Sequence, residues 1–132
     1  FSFSLSLRQF FRKSYAGITI IFILLSVFSG FMKVLFICNQ NQHRSKTAEL
    51  LFKKRFETKS AGLYNEHPVT QAQLEWADVV VVMEDEQRTE LSKRFPRCYL
   101  QKRIISLDIP DVYRKDQPEL SKELRKKIKM LA

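Results

Sequence analysis

No acidic residue occurs before Glu49, and the chain holds only two cysteines, Cys38 and Cys98, and two histidines, His43 and His67. Two cysteines cannot build the disulfide framework of a small secreted scaffold. No pairing of Cys38, His43, His67 and Cys98 has the short spacing of a structural zinc site, so no metal or other cofactor is expected. Internal repeats and low-complexity linkers are also missing, which excludes solenoids and tethered multi-domain designs. A reduced, cytoplasmic domain is the simplest expectation.

Charge is missing altogether between Lys13 and Lys33, where residues 14–32 read SYAGITIIFILLSVFSGFM. This run is nearly long enough to span a bilayer, and Arg8, Arg12 and Lys13 precede it. It reads as an anchor, as a signal, or as upstream sequence that the fold does not need. The pair Met32-Lys33 looks like a start, because an apolar strand begins directly after it. Residues 1–31 are therefore assigned to a hydrophobic N-terminal extension and residues 32–132 to one domain.

What remains is an ordinary globular composition, with 45% hydrophobic and 28% charged residues. The net charge of +9 becomes +6 once Arg8, Arg12 and Lys13 are set aside. A basic surface of this size favours anionic partners, or is merely a solvated lysine-rich face.

The apolar run KVLFIC over Lys33–Cys38 predicts a buried strand. Ser45–Phe56 has Ala48, Leu51, Phe52 and Phe56 at helical spacing, with Lys53, Lys54 and Arg55 suiting the last turn. Glu57–Ala61 is a weaker strand closed by Gly62, and Gln71–Ala77 a short helix. Asp78–Met83, DVVVVM, is too apolar for a sheet covered on one side only. A helix over Glu84–Phe95 is expected to stop at Pro96, leaving Cys98 in a turn. Arg103–Leu107 is a fourth strand, 108–116 a loop, and Pro118–Leu131 a basic helix. Strands alternating with helices predict an α/β domain: a four-stranded, mostly parallel sheet with helices on both faces. Its ligands bind at the carboxyl ends of the strands.

One such end reads CNQNQHRS, residues 38–45. Cleaving a phosphoester requires a nucleophile, and a thiolate serves well. It requires N–H groups around the phosphoryl oxygens, which a tight loop entering a helix supplies. It requires a fixed cation, and the arginine fork matches two oxygens at once. It also requires an acid for the leaving oxygen. Cys38 closes the strand, residues 39–43 form the loop, and Arg44 opens the helix, with Ser45 placed to hydrogen-bond the sulfur. An arginine in a first helical turn opposes the helix dipole, so a purely structural explanation of Arg44 is weak.

The stretch VLFICNQNQHRS resembles the signature of the low-molecular-weight protein tyrosine phosphatases. SAG at Ser60–Gly62, ADVVVVME at Ala77–Glu84 and IPDVYRK at Ile109–Lys115 are similar to family segments in the same order. The resemblance covers roughly residues 33–131 and implies a divergent, shortened member. It implies a cysteine-dependent phosphomonoester hydrolase working through a phosphocysteine, with no metal. Cys38 would be the nucleophile, Arg44 the phosphate-binding arginine and Asp111 the general acid, with Asp108 as its competitor. Asn39, Gln40, Asn41, Gln42, His43, Arg44 and Ser45 would cradle phosphate, and Tyr64 and Tyr113 would line the substrate rim. Gln40 stands where the family has glycine, so another residue must take the unusual dihedrals; Asn41 suits that role. His43 stands where the family has a second cysteine, so the family's loop disulfide cannot form. The implied partner is a phosphorylated substrate, a phosphotyrosine protein or a small aryl phosphate. Nucleic acid is not expected to bind, and a membrane only if residues 14–32 are an anchor. Two other readings stand beside this one: an arsenate reductase-like enzyme, which would need Cys98 as a resolving thiol, and a non-catalytic phosphate-binding module.

Overall fold

The computed structural model describes residues 31–131. The N-terminal extension, with its anchor or signal readings, lies outside the described residues except for Phe31. Four strands form one sheet: β1 (Lys33–Cys38), β2 (Glu57–Gly62), β3 (Val79–Val82) and β4 (Arg103–Ser106), in the order β2-β1-β3-β4. Every pairing is parallel, with Cys38 opposite Gly62 and Ile37 opposite Val82. A parallel sheet needs helical crossovers, which cover both its faces and leave its central strands dry. Val34, Leu35, Phe36, Ile37 and Val80–Val82 are accordingly fully buried.

The period-two alternation of strand side chains sorts this core into two layers. Leu35, Ile37, Val80 and Val82 face a layer built by α2 (Gln71–Trp76), α3 (Asp85–Arg94) and α4 (Pro96–Gln101), where Leu74, Leu91 and Cys98 meet them. Phe36 points the other way and stacks on Phe52 of α1 (Arg44–Phe52), ring centroids 5.9 Å apart. Leu120 and Leu124 are the buried residues of the C-terminal helix α5 (Pro118–Lys127), which continues as a 3-10 turn over Ile128–Leu131.

Three expectations need correction. The first helix ends at Phe52, because a turn in which Arg55 and Phe56 N–H both donate to the Phe52 carbonyl brings Phe56 back against Phe52. Lys53, Lys54 and Arg55 therefore lie beyond the helix rather than in its last turn. Second, Pro96 does more than stop α3. It occupies the first turn of α4, where a missing N–H costs nothing, so Cys98 is helical and buried rather than in a turn. Third, strand pairing stops short of Asp78, Met83 and Leu107. Asp78 instead closes the start of β1, accepting the Lys33 N–H at 2.9 Å and donating its own to the Lys33 carbonyl.

Candidate active site

The strand order reverses between β1 and β3, which opens a crevice at their carboxyl ends. Cys38 ends β1 there, and Glu84 follows β3. The intervening loop turns sharply into α1, whose first N–H groups have no carbonyl partner within the helix. Asn41 adopts φ +55°, the left-handed conformation asparagine tolerates, so it supplies the turn in place of glycine. Its N–H then points back at Cys38 Sγ, 3.2 Å away.

Ser45 Oγ lies 3.0 Å from the same sulfur and 2.8 Å from Asn41 Oδ1. A hydroxyl has one proton. While the sulfur carries its own, Ser45 donates to Asn41. When the sulfur is a thiolate, the serine proton turns to it, beside the Asn41 N–H. The carbonyl of Asn39 is held by the N–H groups of Leu63 and Tyr64 at 3.0 and 2.8 Å, and its side-chain Oδ1 accepts from Gln87 Nε2 at 3.0 Å. Gln87 Oε1 in turn accepts the N–H of Met83 and Glu84, which ties the loop to the end of β3.

Arg44 is almost fully buried, at 1% exposure. A buried guanidinium must be paired. Nη1 is engaged by the Glu84 carboxylate and donates to the Ile109 carbonyl at 2.8 Å. Nε faces Asp111 Oδ1 at 3.7 Å. A cavity of about 370 Å³ opens here, lined by Cys38, Gln40, Gln42, His43, Arg44, Asp111, Val112, Tyr113 and Arg114. Cys38, Arg44 and Asp111, expected as nucleophile, cation and acid, thus share one cavity, and Tyr113 stands on its wall.

Of the remaining expected residues, Tyr64 is exposed and outside that lining, with the Arg94 guanidinium 5.1 Å over its ring. Asp108 also takes a left-handed φ of +55° and gives its carbonyl to Lys127 Nζ at 2.6 Å. His43 accepts the Lys115 N–H on Nδ1 at 3.0 Å. Cys98 sits among Leu74, Leu91, Phe95 and Tyr99. Burial pushes its thiol up, Glu75 adds to this, and Lys102 opposes it. Both cysteines are free. Among the described residues, no cluster of histidine, cysteine and acidic side chains could hold a metal, and no helix is long and apolar enough to cross a membrane.

Sequence reasoning missed Glu84, Gln87 and Thr47, whose Oγ1 accepts the Asp116 N–H at 3.1 Å. Glu84 had a signal, since it directly follows a buried strand where α/β sheets bind ligands. Gln87 and Thr47 had none, because their partners lie 48 and 69 residues away in sequence.

The sheet order and the loop after β1 define the class: the chain has the fold of the low-molecular-weight protein tyrosine phosphatases. It superposes on the Wzb tyrosine phosphatase of Escherichia coli in complex with phosphate, with TM-score 0.61 and 21% identity, covering 77% of this chain and 96% of that one. A YwlE mutant from Bacillus subtilis matches with TM-score 0.60 and 24% identity, over 76% and 98% of the two chains. The YwlE arginine phosphatase of Geobacillus stearothermophilus matches with TM-score 0.60 and 20% identity, over 76% and 90%. No family model and no curated protein matches the sequence.

Proposed function

We propose that residues 32–132 form a cysteine-dependent phosphomonoester hydrolase. One observation carries the reading: Cys38 Sγ, met by the Asn41 N–H and Ser45 Oγ, lines the same cavity as Arg44 and Asp111. The Cys38 thiolate attacks phosphorus, and the bond from phosphorus to the ester oxygen breaks. Asp111 gives its proton to that oxygen, releasing the alcohol or phenol. Arg44 and the loop N–H groups hold the phosphoryl oxygens as their charge shifts. Asp111, now a carboxylate, takes a proton from water, which attacks the phosphocysteine. The phosphorus–sulfur bond breaks, phosphate leaves, and the Ser45 hydroxyl donates a hydrogen bond to the returning Cys38 thiolate.

Glu84 fixes the guanidinium from behind, so that Nε is left on the Asp111 side. Tyr113 lines the cavity and supplies an aromatic ring beside an aryl ester, which makes phosphotyrosine or a small aryl phosphate the substrate class of this reading. The structural neighbours, a tyrosine phosphatase and an arginine phosphatase, support phosphoryl chemistry in this fold. Cys98 is buried in the α2–α4 layer, which supports hydrolysis over a thiol relay of the arsenate-reducing kind. A reduced thiol nucleophile suits a reducing, cytosolic compartment.

The test is hydrolysis of 4-nitrophenyl phosphate. Cys38→Ser is expected to abolish turnover, and Asp111→Asn to slow it and allow a phosphoenzyme to be trapped. Turnover that survives Cys38→Ser would sink the proposal. Phosphate binding without turnover in the unaltered protein would point to a non-catalytic module instead.

A further inference from the structure

His43 is the N-cap residue of α1, yet its side chain makes no cap hydrogen bond. Histidine is a poor N-cap compared with serine, threonine, asparagine or aspartate. Its imidazole instead reaches the loop that carries Asp111, where Nδ1 accepts the backbone N–H of Lys115 at 3.0 Å. Accepting there places the ring proton of the neutral imidazole on Nε2. Thr47 stands one helical turn further along the same face and accepts the next N–H, that of Asp116, at 3.1 Å. Asp116 takes φ +64°, which turns the chain out of the loop toward α5.

The upstream end of this loop is fastened separately, by the Ile109 N–H on the Met83 carbonyl and the Ile109 carbonyl on Arg44. Asp111 lies between the two fastenings and is itself 58% exposed. Its position in the cavity it shares with Cys38 therefore depends on how the flanking backbone is held.

We propose that His43 is a positioning residue for the general acid. Together with Thr47 it clasps residues 115 and 116 to the helix that opens from the phosphate loop, and so holds Asp111 at the leaving-group side of the cavity. The proposal rests on the phosphatase reading above. The clasp matters most where proton donation to the leaving oxygen matters most, with weakly acidic phenols. It matters least with strongly acidic phenols, which depart with little help.

The experiment compares kcat/KM for phenyl phosphate and 4-nitrophenyl phosphate across variants of the full chain. His43→Leu removes the acceptor and is expected to lower the phenyl phosphate value about three- to tenfold, the worth of one hydrogen bond, with a smaller loss on 4-nitrophenyl phosphate. His43→Asn places an amide oxygen near the position of Nδ1 and is expected to restore the ratio between the substrates. In an Asp111→Asn background, His43→Leu is expected to lose its leaving-group effect. Equal losses on both substrates, or an asparagine variant no better than leucine, would overturn the proposal.

Amide hydrogen exchange at Lys115 and Asp116 gives a readout independent of turnover, faster in His43→Leu and slowed again in His43→Asn. Exchange unchanged by His43→Leu would refute the clasp. Absence of turnover in the unaltered protein, with the exchange pattern as expected, would instead refute the phosphatase reading and leave the clasp standing. Thr47→Val removes the second acceptor and tests the same loop should His43→Leu fail to fold.

Discussion

At the scale of the residue, the site is organised by groups that cannot be left alone. Arg44 is buried with its guanidinium, and Glu84 supplies the compensating charge. Removing one partner of a buried pair costs about 3–5 kcal/mol, because the other charge stays desolvated. Glu84 is 28% exposed, so water screens part of this loss. Glu84→Ala is expected to lower stability by roughly 2–3 kcal/mol in urea unfolding, and to weaken competitive inhibition by inorganic phosphate as Arg44 loses its aim. Glu84→Gln, which keeps an oxygen acceptor, is expected to lose less on both counts. Inhibition by phosphate untouched in Glu84→Ala would remove Glu84 from the orienting role.

At the scale of the element, the loop after β1 keeps its shape because β2 and the chain beyond it press against it. Cys38 pairs with Gly62, and a Cβ on Gly62 would stand 2.7 Å from Asn65 Oδ1 and 3.0 Å from the Asn39 carbonyl. The Asn65 side chain can turn away, but the Asn39 carbonyl is backbone held by two N–H groups. Gly62→Ala is therefore expected to destabilise by about 1–3 kcal/mol, as overpacking does. It is also expected to lower kcat/KM, because the displaced backbone is the first residue of the phosphate loop. A variant with normal activity and an unmoved urea midpoint would show that the loop yields freely.

At the scale of the whole molecule, the net charge of +6 that remains without Arg8, Arg12 and Lys13 belongs to the domain whose cavity is walled by Arg44 and Arg114. Such a field raises the encounter rate with anions and is screened by salt, over about 10 Å at 0.1 M and about 3 Å at 1 M. The value of kcat/KM for an anionic aryl phosphate is expected to fall severalfold between those salt concentrations, with kcat changing less. Equal falls in kcat and kcat/KM would place the salt effect on folding or chemistry rather than on encounter.

Residue order alone carried the alternation of strands and helices, the strand β1 to the residue, and the run of Cys38, Arg44 and Ser45 across a strand-to-helix loop. These are local matters: apolar periodicity, turn chemistry and spacing act within a few residues. It also carried the left-handed turn at Asn41, because few residues other than glycine tolerate it. Helix ends were less legible. Nothing within α1 marks its stop at Phe52, which follows from Phe56 folding back into the core. Long-range folding brings Glu84 to Arg44, Gln87 to Asn39, and His43 and Thr47 to the loop of Asp111. Their partners are 40 to 72 residues distant, and it is the parallel sheet that brings the ends of β1 and β3 and the loop after β4 together at the carboxyl end of the strands.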